Sequence, residues 1–149
     1  MKYISEIFKD LASIDSFSER VKYIQGWSTP QLQKTLRYAF DKSLVRDVQE
    51  IPEYKEDDSP IGMSYNNTMT ASRLYYMFFN GEMKDEGKRN RRLVGLLETT
   101  NKEEADIIKQ VVLQNLNMKH LTEKLVRKAF PHLLTEKSNG TAEPESEAN

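Results

Sequence analysis

Two groups of basic residues contain the side chains best suited to binding an anion. The first group places four cations within five residues: Lys88, Arg89, Arg91 and Arg92. Helix-forming residues follow it, so this group is predicted to lie at the start of a helix, where cations oppose the helix dipole. Because local stability does not explain that placement, the pattern favours contacts with phosphates or with an acidic partner, and a solvated helix surface is the alternative.

The second basic group lies on a predicted last helix that carries Leu121, Leu125 and Ala129 and stops at Pro131. It forms a stripe beside the apolar residues and consists of His120, Lys124, Arg127 and Lys128. This stripe could also face an anion, and its alternative is again a solvated surface.

The sequence carries no pattern that is typical of an enzyme or of a metal site. His120 and His132 are 12 residues apart, the acidic run 56–58 lacks the spacing of a calcium loop, and cysteine is absent. No Gly-x-Ser-x-Gly element or phosphate-binding glycine-rich loop occurs. We therefore expect a non-catalytic protein that needs no cofactor, no metal and no small-molecule substrate.

Charge is distributed unevenly along the 149 residues, although the net charge is only −1. Residues 84–137 contain 12 Lys and Arg against 8 Asp and Glu, a net charge of +4, whereas Glu143, Glu145 and Glu147 give residues 138–149 a net charge of −3. A near-neutral chain argues against strong non-specific binding to polyanions but is compatible with a local basic surface. The absence of cysteine, of a signal peptide and of a long apolar run predicts a cytoplasmic protein outside membranes.

Apolar residues that recur every three or four positions predict an all-α fold of about six to seven helices in one domain, residues 1–134. Ser16 and Thr100, each followed three residues later by glutamate, predict capping boxes, and Thr29 with Pro30 predicts another helix start. Residues 53–69 predict a long loop, after which a helix resumes near Thr70. The aromatic run 75–79 could stack on bases, but its helical spacing favours core packing. Residues 135–149 predict a disordered acidic tail.

Three stretches carry motifs of a known family. Gln31-Leu-Gln-Lys-Thr-Leu-Arg-Tyr-Ala-Phe-Asp41, preceded by the opening helix 4–14, is similar to a motif LLKxVxxxAYD, and Arg92-Leu-Val-Gly-Leu-Leu-Glu98 follows at the expected spacing. Residues 103–117 and Leu125-Val-Arg-Lys-Ala-Phe-Pro131 are similar to an ending ExxxLxxVLxxDLRxG…INKVFP. Together they resemble the N-terminal all-helical DNA-binding domain of ATP-dependent DNA ligases, most closely those of the T-even phage type.

The resemblance implies a stand-alone, phage-encoded relative of this module in the host cytoplasm, without the ligase catalytic domain. We expect from it an accessory protein of DNA transactions that binds double-stranded or nicked DNA. The contacts would be to phosphates and the minor groove, without strong sequence specificity. The resemblance assigns phosphate contacts to the first basic group. It assigns a DNA-facing position to the turn and helix start that contain Asn115, Asn117, Lys119, His120 and Lys124.

The chain also departs from the ligase pattern. Asn117 and Lys119 stand where the ligase turn has arginine and glycine, and Lys84-Asp85-Glu86-Gly87 has Glu86 in place of the aspartate of the ligase nucleophile motif Lys-x-Asp-Gly. We interpret the latter string as coincidence. The lost arginine and glycine, with the net charge of −1, favour an alternative hypothesis: a protein-interaction factor that keeps the fold and binds a replication or transcription protein, such as a sliding clamp or a polymerase.

Overall fold

A computed structural model describes residues 2–135 of the chain. The regular secondary structure of this part is helical. This part contains seven α-helices and one 3₁₀ helix: α1 Ile4–Ala12, α2 Phe17–Gly26, α3 Pro30–Phe40, α4 Thr68–Ala71, the 3₁₀ helix Tyr75–Phe78, α5 Glu86–Glu98, α6 Lys102–Val112 and α7 Glu123–Ala129. It has no β-strand, only isolated bridges between single residues. The predicted all-α fold is confirmed. Apart from Thr135, the predicted tail lies outside the described residues.

Side-chain caps begin two helices where the sequence predicted them. Ser16 Oγ accepts a hydrogen bond from the backbone N–H of the third residue that follows it, at 3.4 Å. Thr29 Oγ1 accepts one from the Leu32 N–H at 3.1 Å, and Pro30 occupies the first position of α3, where its missing N–H leaves no bond unmade. Local chemistry is therefore sufficient to place these two helix starts.

The capping box predicted at Thr100 is wrong by one residue. Asn101 caps α6 instead, because its Oδ1 accepts hydrogen bonds from the backbone N–H groups of Glu103 at 2.9 Å and Glu104 at 3.2 Å. Thr100 is buried, and its hydroxyl donates to the Leu96 carbonyl at 2.7 Å. Asparagine and threonine both serve as caps, so the sequence allows either register, and tertiary contacts select the one observed.

The last helix and the helix expected near Thr70 also begin at residues other than those predicted. The last helix, α7, begins after Thr122, whose Oγ1 accepts a hydrogen bond from the Leu125 N–H at 3.1 Å. Leu121 therefore precedes the helix, although it is buried as predicted. The helix expected near Thr70 is only the single turn α4, which Asn67 caps, and a 3₁₀ helix follows it.

Two central helices, α3 and α6, pack against each other, and α4 packs against both. Helix α1 contacts α2, α4 and α6, while α2 packs against α7. The 3₁₀ helix buries Tyr75 and Phe78, with Phe79 directly after it, in the core between these elements. This burial confirms core packing for these three rings of the aromatic run, whereas Tyr76 is exposed by 52%. None of the described helices is both long and apolar enough to cross a membrane.

The long loop 53–67 lies along the connection between α5 and α6. The Lys55 N–H donates to Glu98 Oε2 at 2.9 Å, and the Asn66 N–H donates to the Thr99 carbonyl at 2.8 Å. Asn101 Nδ2 donates to the loop carbonyl of Ser59 at 2.7 Å. Hydrogen bonds at both ends and in the middle therefore hold this segment, which lacks regular secondary structure, against the helices.

One fully buried carboxylate connects three helices. Glu104, in the first turn of α6, accepts hydrogen bonds from the Ser5 N–H at 2.8 Å and from the Thr68 N–H at 2.8 Å and hydroxyl at 2.7 Å. Ser5 and Thr68 lie in the first turns of α1 and α4, where backbone N–H groups have no partner inside their own helix. The negative charge is thus placed at the positive ends of two helix dipoles.

We expect that replacing Gly95 by alanine will raise the free energy of unfolding by about 0.5–1 kcal/mol. Gly95 lies in the interior of α5, and an added Cβ would meet no atom within 4 Å. Urea unfolding of the two proteins measures the difference. Gly62→Ala is the matched control: Gly62 has φ of +89°, and its Cβ would lie 3.1 Å from the Tyr3 hydroxyl. The Gly62→Ala protein should be less stable than the unmodified protein. A destabilised Gly95→Ala protein would contradict the helical assignment of α5.

Candidate nucleic-acid interface

The first basic group lies in the first turns of α5, as predicted. Asp85 caps this helix by accepting a hydrogen bond from the Lys88 N–H at 3.1 Å. The side chains of Lys88, Arg91 and Arg92 are exposed, and in the described part of the chain no carboxylate oxygen lies within 4.0 Å of their charged groups. We refer to these three residues as the α5 cluster.

Arg89 has a different environment from its neighbours. It precedes the buried Leu93 by four residues and therefore lies on the core side of α5. Its Nη1 donates to the Met83 carbonyl at 2.9 Å, which ties the start of α5 to the preceding turn. The Arg89 guanidinium is thus already engaged within the protein. Only the other three cations of the predicted group are fully exposed.

The connection between α6 and α7 begins with a well-formed helix C-cap. The Gln114 N–H donates to the Val111 carbonyl and the Asn115 N–H to the Gln110 carbonyl, both at 2.9 Å. Gln114 has φ of +52°, in the position where helices usually have glycine. Its side chain donates to the Asp41 carbonyl at 3.0 Å, and this bond holds the connection against the end of α3. Asn115 is consequently presented on the surface, as is Asn117 two residues later.

His120 completes a tight turn and contacts α2. The Leu121 N–H donates to the Met118 carbonyl at 3.0 Å, and His120 has φ of +68°. Its Nε2 lies 3.2 Å from Nη2 of Arg20, which also donates to the carbonyls of residues 14 and 15. Partial burial lowers the pKa of His120, and the positive charges of Arg20 and Lys119 lower it further. The neutral imidazole therefore accepts the Arg20 hydrogen bond at neutral pH.

Two lysines lie close to the same connection. Lys42 Nζ donates to the Gln114 carbonyl at 3.3 Å, and Lys124 Nζ lies 5.4 Å from the centroid of the Phe17 ring. Both lysines are exposed, as is Lys119. By contrast Arg127, a member of the predicted stripe, forms an ion pair with Glu123 at 2.8 Å, so its charge is largely neutralised.

Basic residues from four parts of the sequence thus lie around the α6–α7 connection. We call this set the loop cluster: Arg20, Lys42, Lys119, His120 and Lys124. Sequence reasoning missed Arg20 and Lys42, because each is an isolated basic residue and only the packing of α2 against α7 and of α3 against α6 brings them here. Within residues 2–135, none of the lysines and arginines of this cluster has a carboxylate within 4.0 Å.

A series of hydrogen bonds links the segments that lead to the two clusters. Asp41, which is bonded to the α6–α7 connection, leads into a segment whose Val45 N–H donates to Asn80 Oδ1 at 2.8 Å. The Gly81 N–H in turn donates to Asp47 Oδ2 at 2.9 Å. This second segment continues into the turn that binds Arg89 at the start of α5. The two clusters are therefore connected through residues 41–47 and 80–89.

A groove of about 410 Å³ lies between α1 and α6, apart from the basic clusters except at Lys119. Its apolar wall includes Phe8 and Ile107, and Ile61 of the long loop closes one side. Its charged residues have both signs: Glu6, Lys9, Glu103, Asp106 and Lys119. Two large side chains close to Ile61 in the sequence are strongly exposed, Met63 by 75% and Tyr65 by 87%.

Residues 2–135 contain no group of three or more histidine or acidic side chains that could hold a metal ion. The acidic run of the long loop has local partners instead. Asp57 accepts a hydrogen bond from the Ser59 N–H at 2.8 Å, which lowers its pKa, and Asp58 lies 3.9 Å from Lys102. Lys84 directly precedes Asp85, the N-cap of α5, so the motif-like string 84–87 forms the start of that helix.

Comparison with known proteins adds a family assignment. No curated protein matches the sequence. One family model matches residues 7–118, a range that begins in α1, includes the α5 cluster with Arg20 and Lys42, and stops directly before Lys119. The chain belongs to this family, which is described as a family of unknown function (DUF6433).

Proposed function

We propose that this protein is a non-catalytic DNA-binding accessory protein that contacts the phosphates of double-stranded or nicked DNA without strong sequence specificity. The observation that carries the proposal is the grouping of Arg20, Lys42, Lys119 and Lys124, none of which has a carboxylate within 4.0 Å among residues 2–135, around the α6–α7 connection. The exposed α5 cluster, which residues 41–47 and 80–89 connect to it, adds three more cations. The resemblance of the helix pattern to the ligase DNA-binding module supports the same function, although likeness of fold alone is a weak indication.

The electrostatics of the loop cluster support an anionic ligand. Burial is the main cause that lowers the pKa of His120; the positive charges of Arg20 and Lys119 lower this pKa further, and Asp15 opposes them. Grouping like charges on a surface costs folding free energy. Lys42 and Lys124 have one local contact each, to the Gln114 carbonyl and to the Phe17 ring. A bound phosphate chain would neutralise these charges.

The type of side chains favours contacts with the DNA backbone over the reading of bases. Lysine ammonium groups act as point charges toward phosphates, and such contacts position a protein on the duplex without carrying sequence information. Bases stack on exposed aromatic rings, and in the aromatic run 75–79 the rings of Tyr75, Phe78 and Phe79 are buried, while Tyr76 is exposed. We therefore expect nicked and intact duplexes of different sequence to bind with similar affinity.

Replacing Arg91 and Arg92 by alanine is expected to flatten the dependence of log K on log salt by about 2, since each phosphate contact contributes a slope of about 0.9. The corresponding loss of affinity at 0.1 M salt is roughly 10- to 100-fold. Fluorescence anisotropy with a labelled nicked duplex at several salt concentrations measures both quantities. The pair Lys119→Ala and Lys124→Ala should produce a loss of the same size.

The control for this experiment removes two exposed lysines that lie elsewhere. Lys22 is two residues from Arg20 on α2 and so points to the other side of that helix. Lys55 is bonded to Glu98 at the opposite end of α5 from the α5 cluster. A Lys22→Ala/Lys55→Ala protein has the same net charge as the test variants and should keep most of its affinity. If the unmodified protein shows no salt-dependent binding at low salt, the DNA-binding proposal is wrong.

The groove between α1 and α6 favours a second candidate function, a protein-interaction factor. Met63 and Tyr65 are exposed on the loop that closes this groove, and large exposed apolar side chains beside a groove are typical of protein-binding surfaces. A replication or transcription protein, such as a sliding clamp or a polymerase, would be the partner. Tyr65→Ser should then weaken binding to that purified partner, while leaving any affinity for DNA unchanged.

A further inference from the structure

The described part of the chain ends at Thr135, which lies next to the loop cluster. Its N–H and its hydroxyl donate to Asp41 Oδ2 at 3.2 Å and 2.9 Å. Asp41 is buried, and its backbone carbonyl accepts a hydrogen bond from Gln114, whose own carbonyl accepts one from Lys42. A short series of direct contacts therefore joins Thr135 to a cation of the loop cluster.

The sequence that follows Thr135 has the charge opposite to that of the cluster. Residues 136–149 contain Lys137 and four glutamates, and the net charge is −3. Glu143 is the eighth residue after Thr135, and an extended chain of eight residues reaches at most about 26–29 Å. Because Thr135 is joined to Lys42 through Asp41 and Gln114, this reach begins beside the loop cluster. A short tether of this kind gives an effective concentration in the millimolar range.

From the contacts of Thr135, the opposite charges of the segment and the cluster, and the reach of an extended chain, we infer that the acidic segment 136–149 associates with the loop cluster and competes there with phosphate. The interaction is electrostatic. Its consequence for DNA rests on the proposed function, because the segment would weaken DNA binding at low salt by occupying the same cations. Association with the loop cluster itself does not depend on DNA.

The first experiment needs no DNA. Glu143, Glu145 and Glu147 are replaced by glutamine in the full chain, and ¹⁵N–¹H spectra are compared with those of the unmodified protein at low salt. We expect amide shifts at residues 42, 119 and 124, which 0.5 M NaCl should abolish by screening. As a control of equal charge change, Glu50, Glu53 and Glu82, which are exposed elsewhere in the fold, are replaced by glutamine.

The second experiment measures affinity for the nicked duplex with the same proteins. Substitution of the three glutamates should raise affinity about threefold or more at low salt, and more than the control substitution does. Shifts in the spectra without any DNA binding would support the association while refuting the proposed function. Absence of shifts at residues 42, 119 and 124, or shifts at residues 88–92 instead, would overturn the inference whatever the DNA result.

Discussion

Replacing Glu104 by alanine is expected to lower the free energy of unfolding by about 3–5 kcal/mol, because three neutral donors lose their acceptor. Glu104 is fully buried, and its loss leaves the N–H groups of Ser5 and Thr68 and the Thr68 hydroxyl without acceptors. Each of these buried donors then carries an unmet desolvation cost of about 1–3 kcal/mol. Urea unfolding followed by circular dichroism measures the change.

The neighbouring residue provides the control for this prediction. Glu103→Ala removes an exposed carboxylate that lies 3.9 Å from Lys9, so it should cost less than about 1 kcal/mol. Glu104→Gln keeps the volume and one acceptor oxygen but points an N–H₂ group at a donor. Its loss of stability should therefore lie between those of Glu103→Ala and Glu104→Ala. If Glu104→Ala were as stable as Glu103→Ala, the buried carboxylate would not hold α1 and α4 as described.

Replacing Asp41 by asparagine is expected to reduce stability by about 2–3 kcal/mol near neutral pH. Its carboxylate accepts hydrogen bonds from Ser43 N–H at 3.0 Å and hydroxyl at 2.7 Å, and from both donors of Thr135. An asparagine amide can accept only on its oxygen, so one pair of donors loses its acceptor. Asp41 also lies 3.6 Å from Arg37, and this attraction disappears with the charge.

The same residue predicts a dependence on pH. Burial by itself raises the pKa of Asp41, but the hydrogen bonds from Ser43 and Thr135 outweigh it, and the pKa lies below its usual value. A carboxyl with a lowered folded-state pKa contributes stability above its unfolded pKa of about 3.9 and loses that contribution as the pH falls through the folded pKa. The deficit of Asp41→Asn relative to the unmodified protein should therefore shrink below about pH 4.

Unfolding curves at pH 7 and at steps between pH 4 and pH 2 test this dependence. Asp58→Asn is a suitable control, since Asp58 is exposed and its distance to Lys102 is 3.9 Å. The Asp58→Asn protein should lose little stability at neutral pH, and this small deficit should hardly change as the pH falls. A deficit of Asp41→Asn that stays constant down to pH 2 would contradict the assignment of a stabilising, ionised carboxylate.

Much of the helix pattern could be predicted from the sequence because it depends on interactions between near neighbours. Ser16 and Thr29 bond to backbone N–H groups within three residues, and apolar periodicity marks the buried side of each helix. The basic group 88–92, which contains the α5 cluster, is also a local signal, since four cations in five residues are visible without any tertiary information. Local signals failed where two residues were equally suitable, as with Thr100 and Asn101 at the start of α6, and they also failed at α4 and α7.

The loop cluster and the buried network could not be predicted in the same way. Arg20 and His120 are 100 residues apart, and Glu104 is 99 residues from Ser5, so no local pattern relates them. Sequence alone also treats Arg89 as equivalent to its neighbours, whereas the packing of α5 turns it toward Met83. The sequence by itself thus determined where most helices begin and which of their faces are apolar. Only the tertiary structure decided which charges meet, because charge pairing depends on how the helices pack, and packing is a property of the whole chain.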